Sequence, residues 1–145
     1  MNRLLVARIV LVLGLGIGLI SFFATVSHIG SERYLLVPGV EDGEAIIQTH
    51  AWYHALREVV GDVASMVVLL LIFFGAVAWR TPVTWTISLI IMVGYYAPFW
   101  IGTPFSPALA APSWAAELVH LVMAILPFGA LFIAKRSFWD QPTDE

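Results

Sequence analysis

The sequence has no cysteine, few charged residues and no basic run, and each of these features excludes a class of protein. Without cysteine the chain forms no disulfide, no thiolate metal site and no haem attached through a CxxCH motif. The net charge is -3, and no cluster of lysine or arginine offers a surface for nucleic acid. Histidine, carboxylate and hydroxyl groups are therefore the side chains left for chemistry.

Apolar residues dominate what is present. Hydrophobic residues make up 60% of the 145 residues and charged residues 12%, which is unlike a soluble domain. We predict an all-α integral membrane protein, one transmembrane domain over residues 1–145 folded as a four-helix up-and-down bundle. The predicted spans are 4–27, 58–79, 82–101 and 114–134, each close to the ~20 residues that cross a bilayer core. A signal peptide is the alternative for the first span, but its apolar run is long and lacks an Ala-x-Ala cleavage site.

Basic residues and tryptophans predict the same orientation. One side of the predicted bundle carries Arg3, Arg8, Arg80, Lys135 and Arg136. The other side has two arginines diluted by acidic residues, so the positive-inside rule places both termini in the cytoplasm. The tryptophans then form an outer set and an inner set, as interfacial aromatic belts do: Trp52, Trp100 and Trp114 outside, and Trp79, Trp85 and Trp139 inside. We expect a multi-pass protein of a bacterial inner (plasma) membrane.

The stretch at 49–65 carries most of the residues that could do chemistry. His50, His54, Glu58 and Asp62 are spaced four apart, so they share one side of a helix. Charged groups inside a bilayer are costly and usually face the bundle interior with partners. We therefore predict an outward-opening pocket between the second and fourth spans, with His54 and Glu58 as the catalytic candidates. Its predicted lining is His50, His54, Glu58, Asp62, Tyr95, Tyr96, Glu117 and His120.

A metal ion is one interpretation of this set. The candidate ligands for zinc, copper or iron are His50, His54, Glu58, Glu117 and His120. Glu117 and His120 resemble the Glu-x-x-His element of carboxylate-bridged metal bundles, but the chain has one such element, which favours a mononuclear site. A haem between His54 and His120 fits less well, because both lie near one surface. A small lipophilic ligand is a further interpretation, and hydrogen bonds that only join helices are another.

Three functional classes fit this layout: a metal- or ligand-binding membrane enzyme, a non-catalytic subunit of a larger membrane complex, and a transporter or its accessory. Gly14 and Gly18 form a GxxxG pair that lets another helix approach closely. Packing within the bundle is favoured over a homo-oligomer or a protein partner at this pair. Transport ranks last, because the inner halves of the spans contain no ionisable residue except Arg8. The lipid bilayer is the one partner that the composition requires.

The segment THAWYH at 49–54, which opens the second span, resembles the His-Ala-x-x-His element of small four-span bacterial membrane proteins of the broad DoxX-like kind. That group has no settled activity, so the resemblance implies a four-span fold and an inner membrane. Four spans with acidic and histidine residues in an intramembrane pocket are also similar to the sterol-isomerase and emopamil-binding family. This second similarity implies proton shuttling on a lipid-like substrate, by analogy of layout.

Overall fold

The computed structural model describes residues 2–29, 50–102, 104–105, 111 and 113–140, without the side chains of residues 28, 29 and 50–52. These residues form six helices: α1 (Arg3–Ile29), α2 (His50–Phe74), α3 (Pro82–Tyr96), α4 (Pro98–Ile101), α5 (Trp114–Ala134) and α6 (Arg136–Trp139). A short 3₁₀ turn, Val77–Trp79, joins α2 to α3. No strand occurs in the described ranges, so the all-α prediction is confirmed for them. The predicted loop at 30–43 and most of the one at 102–112 lie outside these ranges.

Three helices are long and apolar enough to cross a membrane: Arg3–Ser27, Pro82–Ile101 and Trp114–Ala134. This finding supports the prediction of a membrane protein. The remaining long helix, α2, has Arg57, Glu58 and Asp62 in its first half. Only residues 63–74 of α2 are free of charge, a stretch of about 18 Å at 1.5 Å per residue, against a hydrocarbon core of about 30 Å.

α2 ends at Phe74, whereas the sequence predicts a span that runs to Trp79. The chain turns at Gly75, where there is no room for a side chain. A side chain at Gly75 would overlap the carbonyl oxygen of the preceding turn and lie 2.5 Å from the ring of Trp79, which folds back on it. The last carbonyl groups of a helix need partners from elsewhere, and Arg8 of α1 provides one by donating from Nε to the Phe73 oxygen at 2.8 Å.

The starts of α3 and α5 follow from capping residues that the sequence displays. Thr81 accepts a hydrogen bond from the backbone N–H of Thr84, and the Thr84 side chain accepts one from the backbone N–H of Thr81. Pro82 occupies the first turn, where its missing N–H costs nothing. Ser113 caps α5 by accepting from the N–H of Ala116 at 3.2 Å. These side chains satisfy N–H groups that have no partner within the helix.

α1 and α5 form the most extensive interface, and α1 with α2 the next. At its centre Gly14 lies against Pro127, so closely that an added Cβ would be 2.6 Å from the proline Cδ. Gly18 lies in the same row, and a Cβ there would be 3.6 Å from the methyl group of Met66 in α2. The GxxxG pair is therefore packed against helices of its own chain. The core around it includes Ala7, Leu11, Phe73, Met123, Ala130, Leu131 and Ala134.

One end of the helix assembly is closed by aromatic and basic side chains. Trp85 donates from Nε1 to the Leu131 carbonyl oxygen at 3.0 Å, which joins the start of α3 to the end of α5. The Lys135 ammonium lies 5.6 Å from the centre of the Trp85 ring and 5.2 Å from that of Trp139. The start of α1 and the end of α2 meet at the same end through Arg8, so neighbouring helices run in opposite directions. The opposite end holds the candidate site.

Candidate functional site

A cleft of about 840 Å³ opens between α2 and the α3–α4 segment. From α2 it is lined by His54, Arg57, Glu58, Gly61, Asp62 and Ser65. The facing wall consists of Ile90, Ile91, Gly94, Tyr95, Pro98 and Phe99. His120 of α5 and Ala111 complete the lining. One wall is thus ionisable and the other apolar or aromatic.

The position of the cleft differs from the prediction. The sequence predicts a pocket between the second and fourth spans, but α2 and α5 do not form one of the main helix interfaces. α3 is the element that faces the ionisable side of α2, and α5 contributes His120 alone. Periodicity shows which residues share a helix face, but it does not show which helix that face meets. The regular spacing of His54, Glu58 and Asp62 is nevertheless preserved as one wall of the cleft.

Asp62 lies deepest along this wall. Its side chain is 5% exposed, whereas Glu58 and His54, one and two turns earlier, are exposed to the cleft. The Tyr95 hydroxyl of α3 lies close enough to the Asp62 carboxylate to act as its hydrogen-bond donor. A buried carboxylate needs such a donor, because removing it from water without one is costly. Glu58 is near enough for its negative charge to act on Asp62. The inner part of the cleft therefore brings two carboxyl groups together.

His120 is the only predicted residue of α5 that reaches the cleft. Its imidazole stacks on the ring of Phe99, with the ring centres 4.2 Å apart and the planes 6° from parallel. The stacked pair is half-buried and forms part of the wall opposite α2. The stack holds the imidazole in a fixed orientation beside the cleft.

Glu117 does not line the cleft. Its Oε1 accepts a hydrogen bond from Trp100 Nε1 at 2.5 Å, which joins the end of α4 to the first turn of α5. Glu117 and His120 thus share a helix face without sharing a site. The geometry gives Glu117 the role of an anchor between helices and does not place it with the other candidate ligands.

One further predicted residue lies elsewhere. Tyr96 is 4% exposed and packs in the core beside Phe128, with the ring centres 5.9 Å apart, so it does not line the cleft. The backbone of His50 begins α2, but its side chain lies outside the described part of the chain. His54 contacts the ring of Tyr53 at 5.6 Å between ring centres.

The described side chains do not assemble a metal centre. Among them no group of three histidine and carboxylate side chains converges closely enough to hold a metal ion. Glu117 is held by Trp100, and the buried Asp62 is held by Tyr95. The metal site therefore stays a prediction, and the ligand set proposed for it from the sequence is not brought together by the residues whose side chains are described.

Sequence reasoning missed most of the apolar wall. Ile90, Gly94 and Pro98 are four apart, and so are Ile91, Tyr95 and Phe99, which gives α3 and α4 two adjacent rows on one face. That spacing matches the row on α2, and it is visible in the sequence. Gly61 and Gly94 add to the signal, because an added Cβ at either would meet nothing within 4 Å. Both glycines leave space in the cleft, and neither lies at a close contact between helices.

Comparison with protein-family models, curated proteins and solved structures finds no match to this chain. The resemblance of THAWYH to DoxX-like proteins stays a prediction.

Proposed function

We propose that the cleft binds a small lipophilic molecule with a basic nitrogen, and that the chain acts as a membrane-embedded binding protein for this class of ligand. The observation that carries the proposal is Asp62, a carboxylate 5% exposed at the inner part of a large open cleft. A charged group so placed is costly in a bilayer unless it has partners, and such groups typically mark ligand or ion pathways.

The charge balance of the cleft favours a cation. Glu58 and Asp62 supply two carboxylates and Arg57 one guanidinium within the lining. The opposite wall adds the faces of Tyr95 and of the stacked Phe99–His120 pair, and aromatic faces attract cations electrostatically. An ammonium group could therefore sit between the acidic row and the aromatic rings.

The remainder of the lining suits an apolar body. Ile90, Ile91 and Pro98 give one side of the cleft an aliphatic surface. Ser65 and Tyr95 also border a small cavity of about 10 Å³ between the helices, lined by Leu15, Met66, Leu69, Met92 and Met123. Methionine side chains adapt to varied apolar shapes, which fits a lipophilic ligand.

The proposal includes a membrane setting. In it, four helices cross a bacterial inner membrane, both termini face the cytoplasm and the cleft opens outward. Its support is the three membrane-length helices, the basic and tryptophan-rich end at Lys135, and the location of the acidic cleft at the opposite end. A subunit role has less support, since the Gly14–Gly18 row is already packed against α5 and α2.

The test uses two ions of matched size and opposite charge. Tetraphenylphosphonium and tetraphenylborate are titrated into the purified full-length chain in nanodiscs, with binding measured by calorimetry and metal content by elemental analysis. We expect the cation to bind and the anion not to bind. Asp62→Asn should lower the affinity for the cation about tenfold or more, the equivalent of ~1.4 kcal/mol.

Two glycine variants provide a matched pair. Gly61→Leu projects into the cleft and should abolish binding of the cation. Gly16→Leu on α1, where an added Cβ also meets nothing within 4 Å, should leave binding unchanged. Equal binding of both ions, or equal effects of the two leucines, would overturn the proposal. Stoichiometric zinc, copper or iron that is lost in His54→Ala would replace it with the metal site.

A further inference from the structure

Arg80 lies in the turn between α2 and α3, at the end of the molecule opposite the cleft. Its side chain is 6% exposed, and its Nε is buried without a hydrogen-bond partner. Buried guanidinium groups normally pair with a carboxylate, a phosphate or backbone carbonyls, because an unpaired buried donor carries a large desolvation cost. Arg80 therefore has unused binding capacity in a confined place.

Arg8 of α1 adds a second positive charge beside Arg80. Its Nε is held by the Phe73 carbonyl oxygen at 2.8 Å, and its guanidinium lies over the Phe74 ring, 5.0 Å from the centre. These two contacts fix Arg8 in place. Burial, and after it the charge of Arg8, lower the pKa of Arg80. Arginine nevertheless stays protonated near neutral pH, so two like charges face each other at this point.

Nothing in the described part of the chain neutralises this pair. No described carboxylate forms a salt bridge or hydrogen bond with either arginine. The described acidic residue at this end, Asp140, is exposed at the end of α6. The surroundings are otherwise positive, with Lys135 and Arg136 close by in the sequence.

The depth of the pair suits a phosphate. Lys135 lies over Trp85 and Trp139 at the same end of the helices, and Trp79 packs on Gly75 in the turn that leads to Arg80. Tryptophans with basic residues mark the headgroup level of a bilayer. Basic sites between helices at this level bind the phosphate groups of anionic lipids.

We propose that Arg8 and Arg80 form a binding site for a phosphate-bearing anion, separate from the cleft. The planar guanidinium of Arg80 can donate from Nε and a terminal nitrogen to two phosphate oxygens, a geometry that lysine does not reproduce. The anion would satisfy the buried Nε and screen the repulsion between the two arginines. A lipid phosphodiester and a soluble phosphate share this chemistry.

The test compares the two sources on the purified full-length chain in detergent. Thermal midpoints are recorded with added phosphatidylglycerol, with phosphatidylcholine, and with inorganic phosphate against chloride at equal ionic strength. Native mass spectrometry counts the retained lipids. We expect phosphatidylglycerol or phosphate to raise the midpoint, because a ligand that binds the folded state stabilises it. A response to phosphatidylglycerol alone identifies a lipid headgroup, and a response to both identifies the phosphate group itself.

The variants locate the site. Arg80→Gln should weaken binding about tenfold or more, since it removes charge-assisted hydrogen bonds. Arg136→Gln, on an exposed side chain of α6, removes the same charge from the same end and should retain the response. Arg8→Gln provides a second variant if Arg80→Gln does not fold. Equal responses in the Arg8, Arg80 and Arg136 variants, or no response of the wild type to any phosphate-bearing anion, would overturn the proposal.

Discussion

The contact between Gly14 and Pro127 predicts opposite effects for two alanine substitutions in the same helix. A Cβ at Gly14 would lie 2.6 Å from Pro127 Cδ, 2.9 Å from Pro127 Cγ and 2.9 Å from Leu126 Cβ. Carbon atoms prefer a separation of about 3.5 to 4.0 Å, so α1 and α5 would have to move apart. Overpacking of this kind costs about 1 to 3 kcal/mol.

Gly16 provides the comparison, because a Cβ there meets nothing within 4 Å. Gly16→Ala should stabilise the chain by about 0.4 to 1 kcal/mol, through the smaller conformational freedom of the unfolded state. The same entropy gain applies to Gly14→Ala, so the free energies of unfolding of the two variants should differ by the overpacking cost alone, about 1 to 3 kcal/mol. Reversible unfolding of the purified chain in detergent measures both.

Pro127→Ala makes the prediction specific to this contact. It removes the two proline atoms that an alanine at 14 would meet, so the double variant should recover part of the loss, and a double-mutant cycle should show a favourable coupling. Equal stability of the Gly14→Ala and Gly16→Ala proteins would refute the reasoning. If the loss of stability in Gly14→Ala depends on protein concentration, Gly14 lies at an interface between copies of the chain and not inside the bundle.

Two pairs of side chains, Tyr95 with Asp62 and Trp100 with Glu117, give further predictions for the free energy of unfolding. Tyr95→Phe removes the donor to the buried Asp62 and should lower the free energy of unfolding by about 1 to 3 kcal/mol. The double variant Tyr95→Phe with Asp62→Leu should recover most of this loss, because neither partner is then left unsatisfied. Chemical unfolding measures both proteins, and equal stability of the two would contradict the assigned bond. Trp100→Phe breaks the bond to Glu117 and should cost about 1 to 3 kcal/mol, with tetraphenylphosphonium binding unchanged because neither side chain lines the cleft. Loss of tetraphenylphosphonium binding in Trp100→Phe would indicate that Glu117 contributes to the cleft.

Local signals in the sequence account for the local structure. Thr81 with Pro82 and Ser113 fix the starts of α3 and α5, since a cap depends on residues within a few positions of the helix start. The apolar spans at 82–101 and 114–134 were predictable for the same reason, because length and composition alone define them.

The features that the sequence did not reveal depend on partners distant along the chain. At the end of α2, Trp79 folds back on Gly75, and Arg8 of another helix donates a hydrogen bond to the free carbonyl oxygen of Phe73. Glu117 leaves the site because Trp100 lies across from it. The sequence identified Glu117 as a polar residue near the start of a span, but it could not identify Trp100 as the partner.

The packing of α2 explains why Asp62 carries the functional proposal. Ala55, Asp62 and Leu69 are buried at intervals of seven residues, so they form one narrow row along the helix, the spacing at which a helix presents a seam to a neighbour. In such a row an apolar side chain at 62 would pack without any desolvation cost. The chain instead places a carboxylate there, with Tyr95 as its donor and the cleft beside it. Since replacing a buried polar pair by apolar residues is often neutral or stabilising, packing alone does not account for an acid at this position. The cationic ligand that we propose for the cleft would give this carboxylate a role.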